Sequence, residues 1–255
     1  MKRWRDGWRL AIGTLTVLPV RPLEELDRET GRRAMQLAPV VAVGLAAPAA
    51  LLIDVADDSY APLLIAVLVV AALAASTRAL HLDGLADAAD GLGSGRPAPE
   101  ALAVMRRGDL GPFGAVTLVL VLLIQMAALA QAIALGRGIG VLVVALPLSR
   151  LALPVGCHRR IPAARPDGLG RAVAASESTP DVLLAAVVPL SVAACAVAWL
   201  DVPVAQTVAA YVVAGVVLAV ALRRVRHRLG GITGDVLGAL TELTFTAALL
   251  ALAVP

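Results

Sequence analysis

Seven apolar stretches dominate this chain, at residues 35–53, 61–82, 111–135, 139–155, 182–200, 204–222 and 236–252. Each approaches the roughly 20 residues with which a helix crosses about 30 Å of hydrocarbon. Of the 255 residues, 59% are hydrophobic and only 16% charged, and mean hydropathy is +0.85. A soluble domain carries roughly a quarter charged residues. One aqueous core could not hide this much alanine, valine and leucine. The expected fold is all-α: a polytopic helical membrane protein forming a single integral membrane domain over residues 1–255.

An eighth apolar run, residues 10–20, is short. It follows Lys2, Arg3, Arg5 and Arg9 as a signal peptide would, but no small-residue cleavage pattern follows it. Trp4 and Trp8 are interfacial residue types and Arg21-Pro22 ends the run, so an uncleaved amphipathic or re-entrant helix at the membrane surface is expected. Residues 1–33, 83–110, 150–181 and 223–235 hold 8, 3, 5 and 4 Lys or Arg, against Arg137 alone in the connections at 54–60, 136–138 and 201–203. That asymmetry puts the first four segments on the cytoplasmic side of a bacterial inner membrane and the C-terminus outside. It also accounts for the pI near 9.4 without a nucleic-acid partner. Cys157 and Cys195 give neither a disulfide framework nor zinc spacing and read as packing residues.

The first candidate site is His81-Leu82-Asp83-Gly84-Leu85-Ala86-Asp87-Ala88-Ala89-Asp90-Gly91. On a helix, Asp83, Asp87 and Asp90 fall within an arc of about 60° over two turns. Unpaired carboxylates so placed repel and are costly to desolvate near a bilayer, and a divalent cation relieves both. Hard oxygen donors favour Mg²⁺ or Mn²⁺. The competing reading is a solvated helix end. His81 lies about 160° round from Asp83, which by geometry makes it a structural histidine.

The second candidate opens the last apolar stretch: Gly230-Gly231-Ile232-Thr233-Gly234-Asp235-Val236-Leu237-Gly238-Ala239-Leu240-Thr241-Glu242. Its glycines allow close backbone approach to a ligand, and Thr233 can cap the following helix. Glu242 lies two turns deep, where an ionisable group is a functional candidate. By spacing alone, the glycines serve helix packing equally well, with Glu242 paired to an arginine such as Arg78 or Arg150. A third group holds Met105-Arg106, Gly111, Phe113-Gly114 and Ser149-Arg150, with Arg159, Arg160, Arg165 and Arg171 beyond. Guanidinium groups bind phosphate oxygens in pairs, and most also satisfy topology or lipid headgroups. Acids, glycines and arginines on one membrane face together suggest Mg²⁺-dependent transfer at phosphorus.

These motifs, in this order and spanning most of the chain, resemble the cobalamin synthase family, the adenosylcobinamide-GDP ribazoletransferases. One departure is visible: where the family commonly reads Met-Arg-Asp-Ser followed by a basic residue, this chain has Arg107, Gly108 and Asp109, so acid and base have exchanged places. The resemblance implies attack by α-ribazole or its 5′-phosphate on adenosylcobinamide-GDP, release of GMP, and a requirement for Mg²⁺. It further implies catalytic roles for Asp83, Asp87, Asp90, Asp235, Arg106 and Arg150. The four aspartates would hold the metal, while His81, Gly84, Gly231, Thr233, Gly234 and Glu242 would face the substrates. A cavity between the segments carrying Asp83 and Asp235 is expected, and a homo-oligomer is compatible with the pattern. Two other classes share some features. A CDP-alcohol phosphotransferase has an Asp-Gly opening but needs Ala-Arg shortly after it, and an ion-coupled transporter needs mid-membrane acids and internal repeats.

Overall fold

The computed structural model describes residues 2–23, 26–57 and 59–255, with Lys2 described through its backbone alone. Helix α1 (Lys2–Leu15) is 14 residues long, or about 21 Å at 1.5 Å per residue, too short to cross a bilayer. It lies against the start of α2 (Arg28–Ala56), where the Arg33 guanidinium stacks 4.1 Å from the Trp4 ring centroid. The surface helix expected at residues 10–20 therefore begins earlier and ends at Leu15. Asp27 caps α2 by accepting from the Thr30 N–H at 2.7 Å.

The expected span at 61–82 is not one helix. Helix α3 (Pro62–Ser76) stops after 15 residues, and α4 (Leu80–Gly93) leaves at 89° to it. Arg78 and Ala79 both adopt left-handed backbone, with φ of 54°, which no helix continues through. The end of α1 braces this corner. The Arg78 guanidinium donates to the Gly13 carbonyl at 2.6 Å, and the Val17 N–H donates to the Ser76 carbonyl at 2.8 Å. The aspartate cluster thus rides on a helix of its own.

After α5 (Ala98–Met105), the chain crosses through α6 (Pro112–Ala134) and returns through α7 (Gly138–Arg150) and the short α8 (Ala152–Gly156), which together make one span. A loop bearing α9 (Gly168–Val173) leads to α10 (Thr179–Trp199), α11 (Val204–Leu229) and α12 (Gly234–Leu252). Six helices are long and apolar enough to span, or seven spans if α3 and α4 count as one. Chain direction places α4, α5, the 157–178 loop and the junction of α11 with α12 at one end of the bundle. Among the described residues the only strand-like pairings are two isolated bridges, His158 with Glu177 and Ala163 with Ile232.

The spans divide by environment. The α7–α8 and α12 windows are 78% buried, whereas α10 and α11 are 22% buried and α6 28%. On α11 the exposed positions Val204, Val208, Val212, Val216 and Val220 recur every four residues, an apolar stripe turned to lipid. Cys195 faces outward in the same way on α10, while Cys157 packs inside. Central α12 tolerates its threonines because each hydroxyl finds an acceptor one turn back: Thr241 to Leu237 O at 2.9 Å, Thr244 to Leu240 O at 2.6 Å, and Thr246 to Glu242 O at 2.8 Å. In hydrocarbon, an unpaired hydroxyl would cost several kcal/mol.

At the site end, ion pairs fasten α2 to α10. Arg32 bridges Glu29 and Asp181 at 2.6 Å each, and Arg33 adds a bond to Glu29 at 2.9 Å. Beneath them Glu177 is fully buried and accepts from Gln36 Nε2 at 3.2 Å.

Candidate active site

Helix α4 presents Asp83, Asp87 and Asp90 from one side, but packing gives each a different environment. Asp83 is exposed, Asp87 is half-buried and Asp90 is buried. Asp90 Oδ2 accepts from the Gly111 N–H at 2.8 Å and Oδ1 from the Gly114 N–H at 2.9 Å, where α6 begins. It is a fastener between α4 and α6, satisfying amides that a helix start leaves free. A Cβ on Gly111 or Gly114 would lie 2.4 Å from this carboxylate, which explains the glycines. Asp90, expected to join the other acids in a metal set, thus has one N–H bond on each oxygen and is turned toward α6, and it does not line the cleft that Asp83 and Asp235 share.

The second motif meets α4 directly. Thr233 caps α12 by accepting from the Val236 N–H at 3.2 Å, and its own hydroxyl donates to Asp235 Oδ2 at 3.2 Å. A Cβ on Gly84 would stand 2.7 Å from the Asp235 carbonyl oxygen, and one on Gly238 3.2 Å from His81 Cα. A Cβ on Gly231 would likewise fall on the Pro162 carbonyl oxygen. Gly84 and Gly231, expected to face substrate, lie against backbone and do not line the cleft. Gly234 differs, with only Leu169 Cβ at 3.8 Å from its own Cβ position, and it stays open to the cleft.

That cleft has a volume of about 470 Å³ and takes Asp83 and His81 from α4, Thr233, Gly234 and Asp235 from α12, and Arg106 from the end of α5. Asp87 lies within electrostatic reach of Asp83, Asp235 and Asp90. The cavity expected between the Asp83 and Asp235 segments is thus present. Two lining residues escaped the sequence reading as individuals. Arg165 stands 3.4 Å from Asp235 Oδ2 and donates to Leu102 O at 2.9 Å, and Asp167 pairs with Arg106. The turn signal in Arg165-Pro166-Asp167-Gly168 could have marked them, since it places an acid and a base in an otherwise apolar chain.

Arg150 and Glu242, also expected at the site, sit deeper. Both are buried and line a separate small cavity beside Gln125, whose Nε2 donates to Glu242 Oε2 at 2.8 Å and to Thr246 Oγ1 at 3.0 Å. Arg150 Nη1 donates to Ser149 Oγ at 2.8 Å, and Nη2 is 3.5 Å from His81 Nδ1. Of the two arginines considered for Glu242, Arg150 is its neighbour; Arg78 is committed to the α1 corner. His81 lines the cleft and also reaches this interior network.

Among the described residues, no three His, Cys, Asp or Glu side chains converge as a ready metal cage. The donors at the cleft are nevertheless hard carboxylate oxygens at Asp83 and Asp235, with Asp87 behind them. One or two carboxylates completed by water and substrate phosphate is how Mg²⁺ is ordinarily held, so these residues fit that ion as a substrate-shared site.

Buried glycine contacts, membrane-spanning helices and an acidic, arginine-edged cleft at one end define a polytopic membrane enzyme for a phosphate-bearing substrate. The family described as cobalamin-5-phosphate synthase matches residues 7–253. An adenosylcobinamide-GDP ribazoletransferase of a Nocardioides species is 45% identical over 249 residues, covering 97% of this chain and 98% of that one. Proteins of the same name from Frankia casuarinae and Stutzerimonas stutzeri are 42% and 39% identical, each covering 96% of this chain and 93% and 96% of theirs. No solved structure matches. The chain belongs to the cobalamin-5-phosphate synthase family.

Proposed function

We propose that this chain joins adenosylcobinamide-GDP to α-ribazole or its 5′-phosphate, giving adenosylcobalamin or its 5′-phosphate and GMP, at the cleft between α4 and α12. The family and its near-full-length relatives support the reaction. The observation that ties it to the structure is the shared lining: Asp83 and Asp235, from opposite halves of the sequence, edge one cleft with Arg106 and Arg165.

In the transfer, a ribazole hydroxyl oxygen bonds to the phosphorus that carries cobinamide. The bond from that phosphorus to the bridging oxygen breaks, GMP departs with that oxygen and its electron pair, and the hydroxyl proton passes to a carboxylate. Arg106 and Arg165 hold non-bridging oxygens and oppose the charge that gathers in the transition state. Asp83, which lines the cleft, would orient the incoming hydroxyl. Asp83, Asp87 and Asp235 would hold Mg²⁺, which when bound supplies charge neutralisation to the phosphate oxygens. Apolar walls at Leu80, Leu153 and Leu237 limit water around the reacting phosphorus.

The cleft opens at the end of the bundle that carries the arginine-rich segments, which supports a cytoplasmic active site in the inner membrane. An N-terminal epitope reachable only after permeabilising the cells is the expected result, and labelling of intact cells from outside would reverse that orientation.

The decisive assay follows GMP release by detergent-purified protein given both substrates, with and without Mg²⁺. Metal-dependent GMP release with formation of the joined corrinoid is expected. A folded protein that releases no GMP would overturn the reading.

A further inference from the structure

The last turns of α11 edge a groove of about 670 Å³ that shares no lining residue with the cleft. Arg223, Arg226 and His227 form one side of it, and Ile161, Pro162 and Leu222 give it apolar surface. The three basic side chains are exposed. Among the described residues no carboxylate lines the groove, and none of the three joins an ion pair. Arg228, the next residue, is turned instead to the Arg96 carbonyl.

On the helix, these three residues share one face, an arc of about 140°, with Val208, Val212, Gly215, Val216 and Ala219. All five are exposed, and nothing lies within 4 Å of where a Gly215 Cβ would stand. The lipid-turned stripe of α11 thus runs unbroken into the groove. From Val208 to Ala219 it measures about 16 Å, close to the roughly 15 Å of one hydrocarbon leaflet. An acyl chain laid along the valines brings its headgroup to the guanidinium groups. The opposite wall is preformed: the Ile232 N–H donates to Pro162 O at 2.9 Å and the Ala164 N–H to Ile232 O at 2.8 Å. Little ordering of that wall then accompanies binding.

We propose that this groove holds the headgroup phosphate of one anionic phospholipid, from the leaflet on the cleft's side of the membrane, with its chains along the valine face of α11. Arg223 and Arg226 take the phosphate oxygens as charge-assisted acceptors, and His227 closes the site at the helix end. Basic pockets beside the ends of membrane helices suit such headgroups. The bound lipid is a partner of the fold, distinct from either substrate, and its binding is independent of the transfer reaction.

The test titrates the full chain, purified in a non-ionic detergent, with phosphatidylglycerol, phosphatidylcholine or inorganic phosphate. Native mass spectrometry reads the bound lipid, and the unfolding midpoint is followed beside it. Wild type is expected to retain one phosphatidylglycerol in preference to phosphatidylcholine. Arg223→Gln and Arg226→Gln should each weaken that binding about fivefold, the equivalent of about 1 kcal/mol per basic residue at an anionic surface. Arg223→Lys, which keeps the charge but loses the paired donors, should fall between. Arg224→Gln removes the same charge from the same helix end but outside the groove, and should bind as wild type does. Equal retention of the two lipids, or equal weakening by Arg224→Gln, would reduce the effect to diffuse charge and overturn the site. Inorganic phosphate that raises the midpoint as far as the lipid does would leave the valine face without a role and overturn it too. None of these readouts needs turnover, so failure of the transfer reaction and failure of the lipid site are told apart.

Discussion

The backbone at Gly84 lies directly on that of Asp235: a Cβ at Gly84 would stand 2.7 Å from the Asp235 carbonyl oxygen and 3.0 Å from its Cα. The obstructing atoms are backbone, which cannot rotate aside. Gly84→Ala is therefore expected to cost about 1–3 kcal/mol and to displace Asp235 from Asp83, lowering transfer more than stability alone explains. Gly44→Ala, where nothing lies within 4 Å, is the control in the same unfolding and GMP-release measurements.

Asp83 and Asp90 should separate function from fold. Asp83→Asn is expected to abolish transfer while stability changes by less than about 0.5 kcal/mol, because the side chain is exposed. Asp90→Asn leaves one of the Gly111 and Gly114 amides facing an NH2 group with no acceptor and the other with only a neutral one, and should cost about 1–3 kcal/mol. Unfolding in detergent beside single-turnover transfer distinguishes them, and equal stability losses would refute the separate roles.

The Arg106–Asp167 pair sits at the cleft edge with side chains 51% and 59% exposed, so solvent screens it. Arg106→Ala is expected to change stability by under about 1 kcal/mol and to slow transfer about a hundredfold. Wild-type rates in the purified variant would remove Arg106 from the reaction.

Glu242→Ala removes one of the two acceptors of the Gln125 amide and leaves the neighbouring Arg150 charge without its acid. A loss of about 3 kcal/mol is expected, measurable as a lowered unfolding midpoint. Glu242→Gln should recover part of it by keeping an acceptor for Gln125.

Burial drives the Glu177 carboxyl up from 4.5 to about 7, against the opposing hydrogen bond from Gln36. Between those values the folded state holds a proton that the unfolded chain releases, so stability falls as pH rises from about 4.5 to about 7 and is level above. Glu177→Gln should flatten that slope and raise the unfolding midpoint at pH 8. An unchanged pH profile would show that Glu177 titrates normally.

The spans were legible in the sequence because lipid demands long apolar helices, and six of the seven expected stretches became single crossing segments. The stretch at 61–82 misled because Thr77 and Ala79 carry no breaker signal; the corner there is made by tertiary bonds from α1 to Ser76 and Arg78. The three aspartates were correctly placed on one helix face. Helical periodicity specifies direction from an axis but not which neighbour waits there, so Asp90's engagement with α6 was invisible. Glycines posed the same difficulty: Gly84 and Gly231 had equal reason to meet a ligand or another backbone, and only the fold decided. Arg165 looked like one of many topological arginines until its loop folded against Asp235.

The two sides of the cleft, at Asp83 and Asp235, stand 152 positions apart, and the second side opens α12, made long after α4. Until it inserts, the slot among α4, α6 and α7 has no occupant and the acids of α4 have no facing wall. The cleft is therefore complete only once α12 is in place. A chain halted before α12, however well embedded, would have a gap where the cleft should be, because α4, α6 and α7 all pack against that helix.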